Sequence, residues 1–124
     1  MSKLFGKRVN VEEVEEGKKL QPKFDDNGLI PVITTNAVDN EVLMHGYMNH
    51  EAFKLTIKTE FVHYWSRSRK CIWQKGKTSG LTQKVIELRI DDDQDCLLVK
   101  VEVAGNGASC HVGYKSCFYR KICI

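Results

Sequence analysis

A dense acidic run between two strand-forming segments is the feature that most constrains the fold of this chain. The segments KVIELRI (84–90) and LLVKVEV (97–103) are apolar and β-branched, which predicts two strands joined as a hairpin. Residues 91–95 between them have the sequence DDDQD, and carboxylates this close repel one another unless solvent or a cation relieves the repulsion. The run is therefore either a solvated hairpin tip or a metal site.

The remaining pattern predicts an α+β fold in which a mostly antiparallel, strongly bent and half-barrel-like sheet surrounds the core, with few short helices. Further strands are predicted in three apolar or β-branched segments, 29–38, 42–48 and 61–68. Short helices are predicted behind the capping residues Asn10 and Asn49, in 11–19 and 49–60. We expect residues 1–22 to form an N-terminal extension with a short helix, and residues 23–124 to form a single domain.

Composition indicates the compartment and the kind of partner. Hydrophobic residues make up 42% of the 124-residue chain, and no apolar run has the length of a membrane span. The N-terminus lacks the apolar core of a signal peptide. Five cysteines is an odd number, so metal binding or burial of reduced thiols is expected rather than disulfides. We therefore expect a cytoplasmic protein with no membrane partner. A net charge of +3 fits an anionic small-molecule substrate and is weak evidence for nucleic acid, so no nucleic-acid partner is expected.

The alternating aspartates of the acidic run favour Mg²⁺ over Ca²⁺. Asp91, Asp93, Asp95 and Glu102 have the spacing of positions 1, 3, 5 and 12 of an EF-hand loop. Position 6, where that loop needs glycine for its sharp turn, is Cys96, and the flanking segments are strand-forming rather than helical. A Mg²⁺ site built from two or three carboxylates, water and a substrate phosphate fits better.

Two cysteines and a histidine near the C-terminus suggest a zinc site. On a helix, Cys110 and Cys117 would lie about 10 Å apart along the axis, too far to share one ion. They can bind one zinc only if the chain between them folds back, and Gly113 would permit that turn. Two buried core thiols are the alternative. His111 could be a ligand, a general base or a packed histidine, and we favour the catalytic role.

Basic and aromatic residues alternate in a third region, YWSRSR (64–69) and WQKGKTSG (73–80). Guanidinium, ammonium and hydroxyl groups near glycine are what phosphate binding requires. A basic hairpin with two core tryptophans is one alternative. A surface for single-stranded RNA is another, built on Trp65, Arg67, Arg69, Trp73 and Lys75.

Together these segments resemble the phosphoribosyl-AMP cyclohydrolase family, an enzyme family of histidine biosynthesis. The resemblance runs from about Lys23 to Lys121 and rests on VLMHGYMNHEA, YWSRSRKCIWQKGKTSG, the DxDxD run and SCHVGYKSCFYR. It implies a homodimer with a bent sheet, active sites at the dimer interface, and zinc plus Mg²⁺ as cofactors. The substrate it implies is N1-(5-phosphoribosyl)-AMP, with hydrolysis of the N1–C6 bond of the adenine ring by a zinc-activated water.

The resemblance also implies roles for individual residues. Mg²⁺ would be held by Asp91, Asp93 and Asp95, and zinc by Cys110 and Cys117, with His111 as the catalytic residue. Substrate contacts would come from Trp65, Arg67, Lys75 and Ser79.

One position departs from the family pattern. The family has a cysteine between the first two aspartates as a third zinc ligand, and this chain has Asp92 there. A carboxylate oxygen is a normal zinc ligand, so we expect Asp92 to complete the site. Cys96 is the rival, since a three-residue loop at 93–95 would make positions 92 and 96 cross-strand neighbours. An inactive relative without metal is a further alternative.

Two other functions compete with the cyclohydrolase interpretation. A nucleobase or nucleotide deaminase would share the attack of a zinc-activated water on a ring, but its H-x-E…P-C-x-x-C signature is absent from this sequence. A small zinc-containing RNA-binding module would predict tight, salt-sensitive binding of single strands.

Overall fold

The computed structural model describes residues 5–124 and has an α+β architecture. Its two helices and six strands are α1 (Val11–Glu16), β1 (Leu29–Asn36), β2 (Val42–Asn49), α2 (His50–Thr59), β3 (His63–Ser66), β4 (Cys71–Gln74), β5 (Gln83–Ile90) and β6 (Leu97–Val103). None of the helices in this part of the chain has the length and apolar character needed to cross a membrane. The prediction of an α+β fold with few short helices is confirmed.

The strands form an open four-stranded sheet in the order β2-β1-β6-β5 and a separate two-stranded sheet of β3 and β4. Three pairings are antiparallel, as predicted, but β1 and β6 run parallel, with Val32 opposite Leu97. The larger sheet is therefore mixed. A parallel pair needs a long crossover connection, and residues 37–96 supply it. The strong bending and the homodimer remain predictions.

One hydrophobic core lies beneath the central strands and α2. In β6, Leu97, Val99 and Val101 are buried and alternate with more exposed residues, as expected for a strand with one face on a core. The buried side chains Ile30, Val32, Leu43, Met48, Phe53, Val62 and Tyr64 complete this core. Tyr64 carries the polar end of the cluster: its hydroxyl lies 2.6 Å from Thr34 Oγ1 and donates to Gln83 Oε1 at 2.7 Å.

Both helices begin at the predicted capping residues. Asn10 Oδ1 accepts from the Glu13 amide, and Asn49 Oδ1 accepts from the Ala52 amide, each at 2.8 Å. α1 ends at Glu16, three residues before the predicted end, because Gly17 leaves the helical conformation while its N–H still bonds to Glu13 O. The predicted strand over 61–68 is also shorter, since the chain turns after Ser66.

The acidic run joins β5 and β6 in the predicted hairpin, but its loop is longer than the three-residue loop at 93–95 on which the rival role of Cys96 depends. Ile90 pairs with Leu97, and the Asp91 amide donates to Cys96 O at 3.1 Å. Position 96 is therefore opposite position 91 and not opposite Asp92. The loop has six residues, 91–96, because Asp91 Oδ1 accepts hydrogen bonds from the amides of Asp95 and Cys96 and so joins the two ends of the loop.

Candidate active site

Three carboxylates of the β5–β6 loop converge on one point. Ligand oxygens of Asp91, Asp93 and Asp95 all lie within 4.8 Å of one another, and within residues 5–124 no other three His, Cys, Asp or Glu side chains do so. The side chain of Asp92 is engaged differently, since its Oδ1 accepts from the Asp93 amide at 2.9 Å. The sequence-predicted Mg²⁺ ligands are thus brought together, and their oxygen donors suit a hard divalent cation.

The crowding of these carboxylates changes their pKa values in opposite directions. Desolvation opposes ionisation of Asp91, but hydrogen bonds from the Asp95 and Cys96 amides outweigh it and lower the pKa of Asp91. A hydrogen bond that the protonated Asp95 carboxyl donates to Asp93, together with desolvation and the nearby Asp91, raises the pKa of Asp95 to about 6. The loop therefore holds a proton under mildly acidic conditions, at a place where a cation would displace it.

The chain between Cys110 and Cys117 folds back on itself as predicted. The Gly113 amide donates to Cys110 O at 2.9 Å, and the Cys110 amide donates to Tyr114 O at 3.0 Å. Gly113 has φ +108, a backbone conformation that favours glycine. Desolvation, and then the neighbouring Cys110, raise the pKa of the Cys117 thiol, so the two thiols are close neighbours.

Neither candidate for the third zinc ligand reaches these thiols within one chain. The Cys117 amide donates to Leu43 O in β2, which is one edge of the four-stranded sheet, whereas the loop that carries Asp92 and Cys96 connects to β5 at the other edge. No His, Asp or Glu in the described part of the chain joins Cys110 and Cys117 in a group of three ligand atoms. Cys96 instead donates weakly to Leu97 O.

Lys75 lies beside the thiols. Its Nζ donates to Ser109 O at 2.7 Å and lies 5.5 Å from the centre of the Trp73 ring. Desolvation lowers the pKa of Lys75, while the nearby Cys117 and Cys110 act in the opposite direction. Lys75 is predicted from its sequence segment to contact the substrate. Its bond to Ser109 could not be predicted, because nothing local links Lys75 to a backbone carbonyl 34 residues away.

Two cavities meet at His111. The first has a volume of about 630 Å³, and its lining includes Lys75, Ser79, Cys110 and His111. The second has a volume of about 570 Å³, and its lining includes Trp65, Arg67 and, again, His111. The structure thus gathers all four predicted substrate residues around the predicted catalytic histidine.

Two cavity residues were not singled out from the sequence. Tyr47 lies under Arg67, whose guanidinium carbon is 4.2 Å from the ring centre. Alternation along β2 places Tyr47 on the opposite face of the strand from its buried neighbour Met48, and this pattern could have indicated it. His63 lines the first cavity, and nothing in its sequence spacing indicated it, whereas Thr78, which also lines this cavity, belongs to the predicted phosphate-binding segment 73–80.

Comparison with known proteins gives one consistent result. Residues 44–119 match the family model described as phosphoribosyl-AMP cyclohydrolase. A phosphoribosyl-AMP cyclohydrolase of Brucella canis is 57% identical over 109 residues, covering 88% of this chain and 78% of that protein. One of Brucella anthropi is 54% identical over 109 residues, covering 88% of this chain and 77% of the relative. The family match covers more than half of the chain and the identities are high, so the chain belongs to the phosphoribosyl-AMP cyclohydrolase family, whose members are hydrolases of a cyclic amidine.

Proposed function

We propose that this chain opens the adenine ring of N1-(5-phosphoribosyl)-AMP by hydrolysis of the N1–C6 bond, using zinc and Mg²⁺, as a step of histidine biosynthesis. The observation that carries the proposal is the position of His111, which follows the thiol ligand Cys110 and lies where the two cavities meet. The substrate has a phosphoribosyl group on either side of the purine. A reacting centre between two cavities, each lined by at least one basic side chain, suits such a molecule.

The zinc would be held by Cys110, Cys117 and Asp92. The paired thiols fit two positions of a tetrahedral site, and a carboxylate oxygen fits a third while leaving a position open. Because Asp92 lies in a loop remote from the thiols of its own chain, we assign it to the site of a second copy. The proposed enzyme is therefore a homodimer with its active sites at the interface, and neither subunit holds a complete zinc site.

Zinc, when bound, supplies a water molecule acidic enough to act as a nucleophile near neutral pH. The imidazole of His111 would act as the general base, accepting a proton from the attacking water as the water oxygen bonds to C6 of the purine. The C6–N1 bond then breaks with its electrons on N1, which receives a proton. C6 becomes a carboxamide carbon, and N1 remains in the formamidine that the open ring leaves behind.

The remaining site residues would bind the two arms of the substrate. Arg67 presents a guanidinium in the second cavity, and its packing on Tyr47 limits its movement. Ser79 lies in the first cavity and would contact the other phosphate or its ribose, with Trp65 lining the second cavity beside the ring. Lys75 would serve both substrate and thiolates, because its ammonium lies next to Cys110 and Cys117.

The acidic loop would hold Mg²⁺ through Asp91, Asp93 and Asp95, where the ion neutralises phosphate charge or organises the substrate. Mg²⁺ is usually bound by a few carboxylates together with water and phosphate. Since thiols stay reduced in the cytosol and the five cysteines are free, a cytoplasmic location is part of the proposal.

The test is an absorbance assay of the zinc-loaded protein with phosphoribosyl-AMP and Mg²⁺. We expect the ultraviolet spectrum of the ring-opened product to appear and a zinc chelator to abolish it. Ammonia release would indicate a deaminase instead, because ring opening at N1–C6 retains the exocyclic nitrogen. Zinc-loaded protein that gives no product would contradict the proposed reaction.

A further inference from the structure

Gln94 is the buried residue of the acidic loop. It is only 5% exposed, whereas the four aspartates around it are exposed or half-buried. Its φ of +57 is in the left-handed region, which glutamine seldom adopts because its Cβ is crowded there. A strained, buried amide at the centre of a loop of mutually repelling carboxylates requires contacts that hold it there.

All the hydrogen bonds of the Gln94 side chain come from the N-terminal segment, residues 5–23. Gln94 Oε1 accepts from the Gln21 amide at 2.6 Å, and Gln94 Nε2 donates to Val14 O at 2.8 Å and Lys19 O at 3.2 Å. The Gln94 carbonyl also accepts from the Lys23 amide at 2.7 Å. The side-chain amide is therefore fully engaged with a part of the chain that contains none of the proposed metal ligands.

The N-terminal segment is itself attached to the core and to a second point of the loop. The Phe5 ring stacks on the buried Phe53 of α2 with a centroid distance of 4.6 Å. Arg8 Nη1 donates to Gln21 O and to Asp93 O, each at 2.9 Å. The segment thus connects the core to the backbone of two consecutive loop residues, Asp93 and Gln94.

We infer that Gln94 is a positioning residue for the divalent-metal site, and that the N-terminal segment acts through it to keep the three carboxylates together. The conformation of Gln94 sets the relative directions of its neighbours Asp93 and Asp95, and the Gln94 amide donates to Asp91 O at 3.1 Å. Electrostatic repulsion would otherwise spread these side chains in the metal-free protein. This inference rests on the proposed function of Asp91, Asp93 and Asp95 as ligands of Mg²⁺.

The test measures Mn²⁺ binding by electron paramagnetic resonance, since Mn²⁺ accepts the same oxygen ligands as Mg²⁺. Gln94→Gly removes the side-chain hydrogen bonds, and glycine adopts the left-handed backbone conformation readily. The variant therefore tests the loss of the hydrogen bonds without adding backbone strain. We expect its dissociation constant for Mn²⁺ to rise about tenfold, with faster deuterium exchange at the amides of Asp95 and Cys96. Asn49→Ala is the control, because it removes a helix cap elsewhere and should leave Mn²⁺ affinity unchanged.

A second variant changes the N-terminal segment without altering the loop. A Cβ at Gly17 would lie 2.4 Å from Glu13 O, so Gly17→Ala must displace the end of α1 and the adjoining chain to Lys19. We expect it to weaken Mn²⁺ binding in the same direction as Gln94→Gly. Affinities of both variants within twofold of the parent would overturn the positioning role alone. If the parent itself did not bind Mn²⁺, or if Asp91→Asn did not weaken binding, the proposed metal site would fail as well.

Discussion

Gly46 lies so close to the ring of Tyr64 that a Cβ at this position would be 2.8 Å from Tyr64 Cδ1. The ring cannot retreat, because Tyr64 is 1% exposed and its hydroxyl is bonded to Thr34 and Gln83. β2 and β3 are brought together at this contact, and both strands line the cavity that contains Arg67. Because Gly46 has no side chain, β2 and β3 can approach closely enough to form the wall of this cavity.

Replacing Gly46 with alanine should destabilise the fold by about 1–3 kcal/mol, the usual cost of adding a methyl group to a rigid core. Urea denaturation measures this change in the free energy of unfolding. Val42→Ala in the same strand is the control, since Val42 is 43% exposed and should change stability by about 0.5 kcal/mol or less. Equal stability of Gly46→Ala and the parent would contradict the rigid contact.

Divalent-metal binding should release a proton below about pH 6, because the pKa of Asp95 is raised to about 6 in the metal-free loop. The folded protein holds this proton more tightly than the unfolded chain, so its contribution to stability falls as pH rises from about 4 to about 6. Mg²⁺ affinity should rise as pH increases over the same range, because the proton that competes with the cation for Asp95 is lost.

Titration calorimetry in buffers of different ionisation enthalpy measures this proton release. We expect a net release at pH 5 that disappears at pH 8. Glu102→Gln is the control, because it removes an exposed carboxylate outside the loop and should leave the release unchanged. A release that is the same at pH 5 and pH 8 would contradict the shared proton.

Substitution of His111 by alanine should separate metal binding from catalysis. The thiols remain in place, so zinc content should stay near that of the parent, while kcat falls by about 100-fold or more through loss of the general base. Zinc analysis and steady-state kinetics on the same preparation provide the two readouts. Normal turnover in this variant would remove His111 from the mechanism.

The proposal that two subunits share each zinc site makes a prediction about mixed dimers. Asp92→Ala and Cys110→Ser homodimers should each be inactive, since every site lacks one ligand. Subunit exchange between them should restore about a quarter of the parent activity, because half of the dimers are mixed and each mixed dimer has one intact site. If Asp92 belonged to the site of its own chain, mixing would restore nothing.

The proposed zinc site should also bind zinc less tightly with the carboxylate of Asp92 than it would with a cysteine at this position. Asp92→Cys provides a third thiolate, which zinc prefers, so zinc affinity measured by competition with a chelator should rise by roughly tenfold or more. Asp92→Ala should lower it. Cys96→Ala tests the rival ligand, and unchanged zinc affinity there is expected.

Local signals in the sequence predicted much of this structure. Asn10 and Asn49 marked the helix starts because a capping side chain and its amide partner are three residues apart. The conformational freedom of Gly113 indicated the turn between Cys110 and Cys117. The charge of the alternating aspartates indicated the loop between β5 and β6. The parallel pairing of β1 with β6 could not be predicted, because strand-forming residues do not specify which distant strand they will meet.

The same limit applies to the site. An amide among four aspartates suggests an exposed loop tip, and the burial of Gln94 arises only from the docking of residues 5–23. The bond of Lys75 to Ser109 likewise depends on the tertiary fold. Residue type therefore indicated the candidate reactive groups, whereas the residues that hold these groups in place had no local sequence pattern of their own.

The parallel pairing of β1 with β6 has a consequence for how the protein folds. The β1–β2 and β5–β6 hairpins contain only local contacts, so each can form early. The centre of the sheet forms only when residues 29–36 meet residues 97–103, after most of the chain has been synthesised. Closing so long a loop is entropically unfavourable and slows folding. We therefore expect docking of the two hairpins to be rate-limiting, and mutations at the β1–β6 contact to slow folding more than mutations within either hairpin.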